Sequence, residues 1–81
     1  MRKIEFTNVS GSLKVRLDGE LLHRVALDTG PIKMAKKARV WTPKTEEDYF
    51  KQVQKRMTDE GVTAPEANII MARFKAEIID L

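Results

Sequence analysis

Very few side chains in this sequence could act as a catalytic acid, base or nucleophile. The chain has one histidine, one tyrosine and no cysteine, and its serines, Ser10 and Ser12, lie together in a predicted turn. His23 falls on the apolar face of a predicted strand without another metal ligand at suitable spacing, so we expect a partly buried structural histidine. Because catalysis needs several such groups within hydrogen-bond reach, we expect no enzymatic activity and no small-molecule substrate.

The acidic residues and the glycines do not form a binding motif either. Glu46, Glu47 and Asp48 are consecutive, so they point in different directions around a helix, and a first helical turn already suits their charge. The four glycines stand apart in different turns, which is not the pattern of a phosphate-binding loop or a dinucleotide-binding motif. The sequence therefore predicts neither a metal site nor a cofactor.

The strongest candidate for a binding site is a basic segment in the middle of the chain. No acidic residue occurs between Gly30 and Lys44, and Trp41 lies within this segment. Residues 1–44 carry a net charge of +6 and residues 45–81 a net charge of −3. Cations beside an exposed aromatic ring can hold a phosphate backbone and stack on a base. A solvated loop whose Trp41 packs in the core would explain the same residues, and the sequence leaves both alternatives open.

The first third of the chain predicts an antiparallel β-meander, because apolar residues recur at every second position. For the second hairpin, a two-residue loop at Asp18-Gly19 would divide the apolar residues between the two faces of the sheet. A three-residue loop, Leu17–Gly19, with a bulge instead pairs Val15 with Leu21, and we favour it because one face becomes apolar throughout. The residues then expected to face water are Lys3, Glu5, Lys14, Arg16 and Arg24.

The segment 29–44 fits two local structures. Gly30-Pro31 interrupts the strand pattern, and Pro31 could begin a short helix. Alternatively, residues 39–41 could form a fourth strand. Valine and tryptophan are favoured on a pleated, half-buried surface, so we favour a loop that leads into a short edge strand.

Two helices are predicted after this segment. The first begins at Thr42 or Thr45 and ends at Gly61. The second begins at Thr63, where Glu66 can complete a capping box, and runs to the end of the chain. The first helix has a single apolar stripe, which consists of Tyr49, Phe50, Val53 and Met57.

The second helix is apolar on two opposite sides. Both sides need a cover, which can be the rest of the chain, a partner protein or a second copy. The flat second side would allow close approach of another helix, so we expect a partner interface or a homodimer there. One side consists of Ala67, Ile70, Met71, Phe74, Ile78 and Leu81, and the other of Ile69, Ala72, Ala76 and Ile79.

These features predict an α+β fold in one domain, 1–81. An N-terminal antiparallel β-meander of three or four strands (1–28) packs against two C-terminal helices (45–81), and a basic connector (29–44) joins them. Without cysteines, and without a signal or membrane-spanning segment, the chain is expected in the cytoplasm.

For function, we expect a small non-enzymatic binding or regulatory protein that docks on an anionic macromolecule: DNA, RNA or an acidic protein groove. The alternative is an inhibitor or accessory factor, of the sort that phages and mobile elements encode, which masks the surface of a partner protein. The residues expected at the anionic partner are Lys14, Arg16, Arg24, Lys33, Lys36, Lys37, Arg39, Trp41 and Lys44.

Overall fold

The computed structural model describes all 81 residues and contains a three-stranded antiparallel sheet followed by three helices. This layout confirms the predicted α+β class, with the sheet at the N-terminus and helices after it. The strands are β1 (Ile4–Val9), β2 (Ser12–Leu17) and β3 (Glu20–Leu21), and the helices are α1 (Gly30–Lys37), α2 (Pro43–Asp59) and α3 (Ala64–Ile78).

β1 and β2 form a regular hairpin whose inner face covers the core. Their register is unbroken from the pair of Ile4 and Leu17 to the turn. Ser10 and Gly11 form this turn with φ angles of 51° and 82°, and Gly11 suits it because a Cβ there would approach Thr29 Oγ1 to 3.0 Å. Side chains alternate between the two faces of β2. They are buried at Leu13, Val15 and Leu17 and exposed at Lys14 and Arg16.

The turn between β2 and β3 differs from the predicted one. Asp18 and Gly19 have φ angles of 51° and 84°, and Leu17 pairs with Glu20. This is a two-residue loop of the type that Asp-Gly favours, so the prediction of a three-residue bulged loop is wrong. That prediction assumed a long third strand whose apolar alternation sets the register, but β3 has only two residues.

After β3 the chain does not continue as a regular strand but returns to the core through a bulge. The Leu22 amide donates to the Val15 carbonyl, whereas the Leu13 amide donates to the Leu27 carbonyl, both at 2.9 Å. More residues separate Leu22 from Leu27 than separate Val15 from Leu13, so the chain bulges outward and then returns Leu27 to the core. His23 lies in this bulge and is exposed, so the expectation that it is partly buried on an apolar face is wrong.

Residues 30–37 form α1, and no strand forms at 39–41, so the predicted edge strand is wrong. Pro31 stands in the first turn of α1, where its missing N–H has no intrahelical partner to lose. Ile32 is buried in the core with 1% of its surface exposed, and this anchors the helix to the rest of the protein. Of the two local structures that the sequence leaves open, the structure therefore contains the short helix, with Ile32 as its buried residue.

α1 ends at a left-handed residue that is not glycine. Arg39 has a φ angle of 60°, and the Val40 amide donates to the Ala35 carbonyl at 3.0 Å. This is the Schellman arrangement, which satisfies the last carbonyls of a helix. Val40 therefore does not join the sheet despite its high β propensity, and its side chain is exposed.

α2 and α3 form with the predicted start signals and cover the inner face of the sheet. Thr42 caps α2 by accepting a hydrogen bond from the Thr45 amide, and Thr63 with Glu66 forms the predicted capping box of α3. The core joins the sheet and all three helices. Its buried apolar members are Leu13, Val15, Leu17, Val25, Leu27, Ile32, Phe50, Val53, Met57, Val62, Ala67, Ile70, Met71, Phe74 and Ile78.

Candidate docking surfaces

The exposed side of α1 combines positive charge with apolar side chains. Lys33 and Lys37 are one helical turn apart and exposed, and Arg39 follows the C-cap residue Ala38. Met34 and Val40 lie among them with 74% and 60% of their surfaces exposed. None of the three cations forms an ion pair within the chain. We call these five residues the α1 surface.

Lys36 belongs to the same helix but points toward the protein. Its Nζ atom donates to the backbone carbonyl of Ile78 at 2.7 Å, and the side chain is half-buried. A cation at the C-terminal end of α3 also suits the negative end of that helix dipole. Lys36 therefore links α1 to the end of α3, and the structure does not present it to a partner as the sequence predicted.

Trp41 is half-buried and packs against the core. Its ring meets the ring of Tyr49 edge to face, with 5.7 Å between the centroids. Burial raises the pKa of Tyr49 above its ordinary value. Trp41 therefore packs against the core, as the second of the two alternatives for this segment expects, and it is half-buried. Lys44 is exposed in the first turn of α2.

The basic residues of the sheet lie on another surface. Lys14 and Arg16 project from the outer face of β2, away from the helices, and the acidic residue Glu5 pairs directly with Arg16 on β1. Arg24 is exposed but lies 3.8 Å from the carboxylate of Glu60. The structure therefore does not gather the nine predicted binding residues into one patch.

The second apolar side of α3 is exposed. Ile69 and Ile79 have 42% and 74% of their surfaces accessible, and Ala72 and Ala76 between them are also exposed. These four residues, which we call the outer face of α3, lie opposite the buried side. The rest of the chain thus covers one side of this helix and leaves the other to solvent.

An ion pair with a buried carboxylate, which sequence reasoning missed, joins the start of the chain to the start of α3. Glu66 is 1% exposed, and its carboxylate accepts from Arg2 Nη2 at 2.8 Å and from Arg2 Nε at 2.9 Å. The Thr63 amide also donates to it at 3.0 Å. These bonds, those from Arg2 above all, hold the pKa of Glu66 well below its ordinary value. The capping box predicts Glu66 at the helix start, but no local pattern indicates a partner 64 positions away.

The structure contains neither a metal-binding cluster nor an unpaired buried polar side chain. No group of three or more His, Cys, Asp or Glu side chains is arranged to hold a metal ion. Every buried polar side-chain atom has a hydrogen-bond partner, so none is left aimed at an absent ligand. His23 lies at a shallow depression with Arg24 and Glu60, where charges of both signs meet.

Comparisons of this chain with known protein families, with curated proteins and with solved structures found no match. None of its three helices is both long enough and apolar enough to span a bilayer.

Proposed function

We propose that this chain is a non-enzymatic binding protein that docks on an anionic macromolecule, in the first place a nucleic acid, through the α1 surface. The observation that carries this proposal is the set of unpaired cations at Lys33, Lys37 and Arg39. Each can contact a phosphate without first breaking an ion pair. No acidic residue occurs from position 29 to 45, so nothing within the segment opposes an anionic ligand.

The apolar members of the α1 surface support the same proposal. Met34 and Val40 are exposed beside the cations, and Trp41, the next residue in the chain, is half-buried. Apolar and aromatic groups next to a cationic track can contact the bases of a single strand without reading a sequence. The expected ligand is therefore a nucleic acid that is bound mainly through its backbone.

Fluorescence anisotropy with labelled single- and double-stranded DNA and RNA tests this function. Binding should weaken steeply when salt rises from about 50 mM to about 200 mM, because counterions are released from each phosphate that the protein contacts. The double variant Lys33→Ala/Lys37→Ala should lower the salt slope by up to about 2 and the affinity on the order of ten-fold.

The matched control is Lys51→Ala/Lys55→Ala, which removes the same charge from the exposed part of α2. It should leave binding nearly unchanged if contact, and not net charge, sets the affinity. Absence of binding to all four nucleic acids at low salt would contradict the proposed function.

A second candidate function is the masking of a partner protein, which the outer face of α3 favours. Ile79 is a large apolar side chain with 74% of its surface exposed. Such a side chain is a suitable anchor for an apolar pocket on another protein. Affinity capture from the source cells, followed by elution, should then yield one stoichiometric protein with the wild-type chain and none with Ile79→Glu. Equal recovery by both chains would exclude this face as the contact, and Gln52→Glu on α2 is the control for the added charge.

A further inference from the structure

The free edge of β1 is the least protected part of the sheet. β1 pairs only with β2, so its other side has no neighbouring strand. The six residues Ile4–Val9 form a regular strand without proline and without a bulge. Natural edge strands are usually short, bulged or interrupted, because a regular open edge attracts another strand. At the opposite edge, β3 meets this description, since it has two residues and leads into an outward bulge.

The hydrogen bonds of β2 show which groups of β1 point outward. Val15 and Leu13 bond toward the β3 side, through the Val15 carbonyl and the Leu13 amide. The backbone groups of the even-numbered residues of β2 must therefore bond to β1. In the observed register, their partners on β1 are Glu5, Thr7 and Val9. The remaining residues of β1 turn their N–H and C=O groups to the open edge, where these groups have no partner within the chain. They are Ile4, Phe6 and Asn8.

We propose that two copies of this chain pair through these edges into a dimer with a continuous six-stranded antiparallel sheet. A two-fold axis beside Phe6 places Phe6 opposite its copy and Ile4 opposite Asn8, and the outward groups then form about six backbone hydrogen bonds. The outward backbone groups of the strand are thus complementary to those of a second copy in this register. This edge includes no residue of the α1 surface or of the outer face of α3.

The charges on the outer sheet face select this register. With the axis at Phe6, Glu5 faces Thr7 of the second copy in a pair without mutual hydrogen bonds, where side chains approach most closely. A shift of the axis to Glu5 would place two Glu5 carboxylates opposite each other, which is unfavourable. A shift to Thr7 would leave Ile4 beyond the end of the opposing strand. On the inner face, α3 contacts β1 through Arg73, which lies over the Phe6 ring, and Glu77, which accepts a hydrogen bond from Asn8. These two charges pair with each other at 3.0 Å, so they add no net charge beside β1.

Substitutions at Thr7 test the dimer, because Thr7 is exposed and its two neighbours have opposite charges. Within the chain it pairs with Lys14, whereas in the dimer it faces Glu5 of the other copy. Thr7→Glu should weaken dimerisation on the order of five-fold while it stabilises the single chain, and Thr7→Lys should do the reverse. A general effect on folding would move stability and association in the same direction.

Light scattering from about 1 μM to about 1 mM measures the association of each variant. A wild-type dimer that Thr7→Glu weakens and Ile79→Glu leaves intact, with concentration-dependent protection of the Phe6 amide in hydrogen exchange, supports the proposal. A wild-type chain that stays monomeric over the whole range overturns it. So does a dimer that Ile79→Glu disrupts and Thr7→Glu does not, since the contact would then lie on α3.

Discussion

The Arg2–Glu66 pair and the cations of the α1 surface are both ionic groups, but they differ in burial and in partners. Glu66 is 1% exposed, and Arg2 donates several hydrogen bonds to its carboxylate. Lys33 and Lys37 are exposed and have no ionic partner in the chain. The Arg2–Glu66 pair connects the start of β1 to the start of α3. Lys33 and Lys37 make no ion pair with the rest of the fold, so they remain available for another molecule.

Lys36 lies between these two extremes. It shares α1 with Lys33 and Lys37, yet its ammonium group donates to the carbonyl of Ile78. Position on the helix decides this, because Lys36 is one turn after the buried Ile32 and so lies on the side that faces the core. Residue type and local charge therefore do not determine whether a lysine holds the fold or faces solvent.

The largest expected effect is the loss of stability in Glu66→Gln. The substitution keeps the size of the side chain but removes the charge that Arg2 and the Thr63 amide share. Because the carboxylate is buried, its loss leaves the groups that donate to it poorly compensated, so the thermal midpoint should fall on the order of 10 °C. Circular dichroism during heating measures this change.

Glu47→Gln is the matched control, because Glu47 pairs with Lys51 on the exposed side of α2 at 3.0 Å. Exposed helical pairs contribute little, so this variant should melt within about 2 °C of the wild type. An equal fall in both variants would contradict the argument that burial and long-range partners separate the two groups of charges.

The second expected effect is a loss of stability in acid that depends on Glu66. Its pKa is lowered in the folded state, so the unfolded chain takes up this proton first as the pH falls. The stabilisation is therefore complete above the ordinary pKa of 4.5 and decreases progressively below it. Urea unfolding at pH 7, 4 and 3 should show the gap between wild type and Glu66→Gln closing as the pH falls. A constant gap would show that the carboxylate is not the group responsible.

A smaller effect is expected for Lys36→Met, which keeps the aliphatic part of the side chain and removes the ammonium group. The carbonyl of Ile78 then loses its donor at the end of α3. The free energy of unfolding should fall by about 1 kcal/mol, measured by urea denaturation. Lys37→Met is the control on the exposed side of α1, and a loss as large as that of Lys36→Met would contradict the assignment of Lys36 to the fold.

The sequence predicts correctly those parts of the fold in which an apolar pattern repeats over several turns of a helix or a clear capping residue is present. The capping box of Thr63 and Glu66 and the buried stripe of α2 agree with the prediction because they depend on residues close in the chain. The predicted loop of the second hairpin is wrong because it relies on apolar alternation, whereas the turn preference of Asp18-Gly19 sets the register. Two residues of β3 are too few for alternation to set a register.

The candidate sites were less predictable, because they depend on what covers each residue. Periodicity places Ile69 and Ile79 on a second apolar side of α3, but only the packed structure shows that this side is exposed. Similarly, the basic composition of α1 does not separate Lys36 from its neighbours. The bond between Arg2 and Glu66 leaves no local signal, since it forms only when β1 and α3 have packed together.

The smallest expected effect on stability belongs to Lys33→Ala/Lys37→Ala. Both side chains are exposed and unpaired, and alanine favours the helix, so the free energy of unfolding should change by less than about 0.5 kcal/mol. If the α1 surface binds an anionic ligand, the same variant should lose most of its affinity while it melts like the wild type. A drop in stability comparable to that of Lys36→Met would instead mean that these lysines stabilise the fold, and the contrast between α1 and the Arg2–Glu66 pair would then fail.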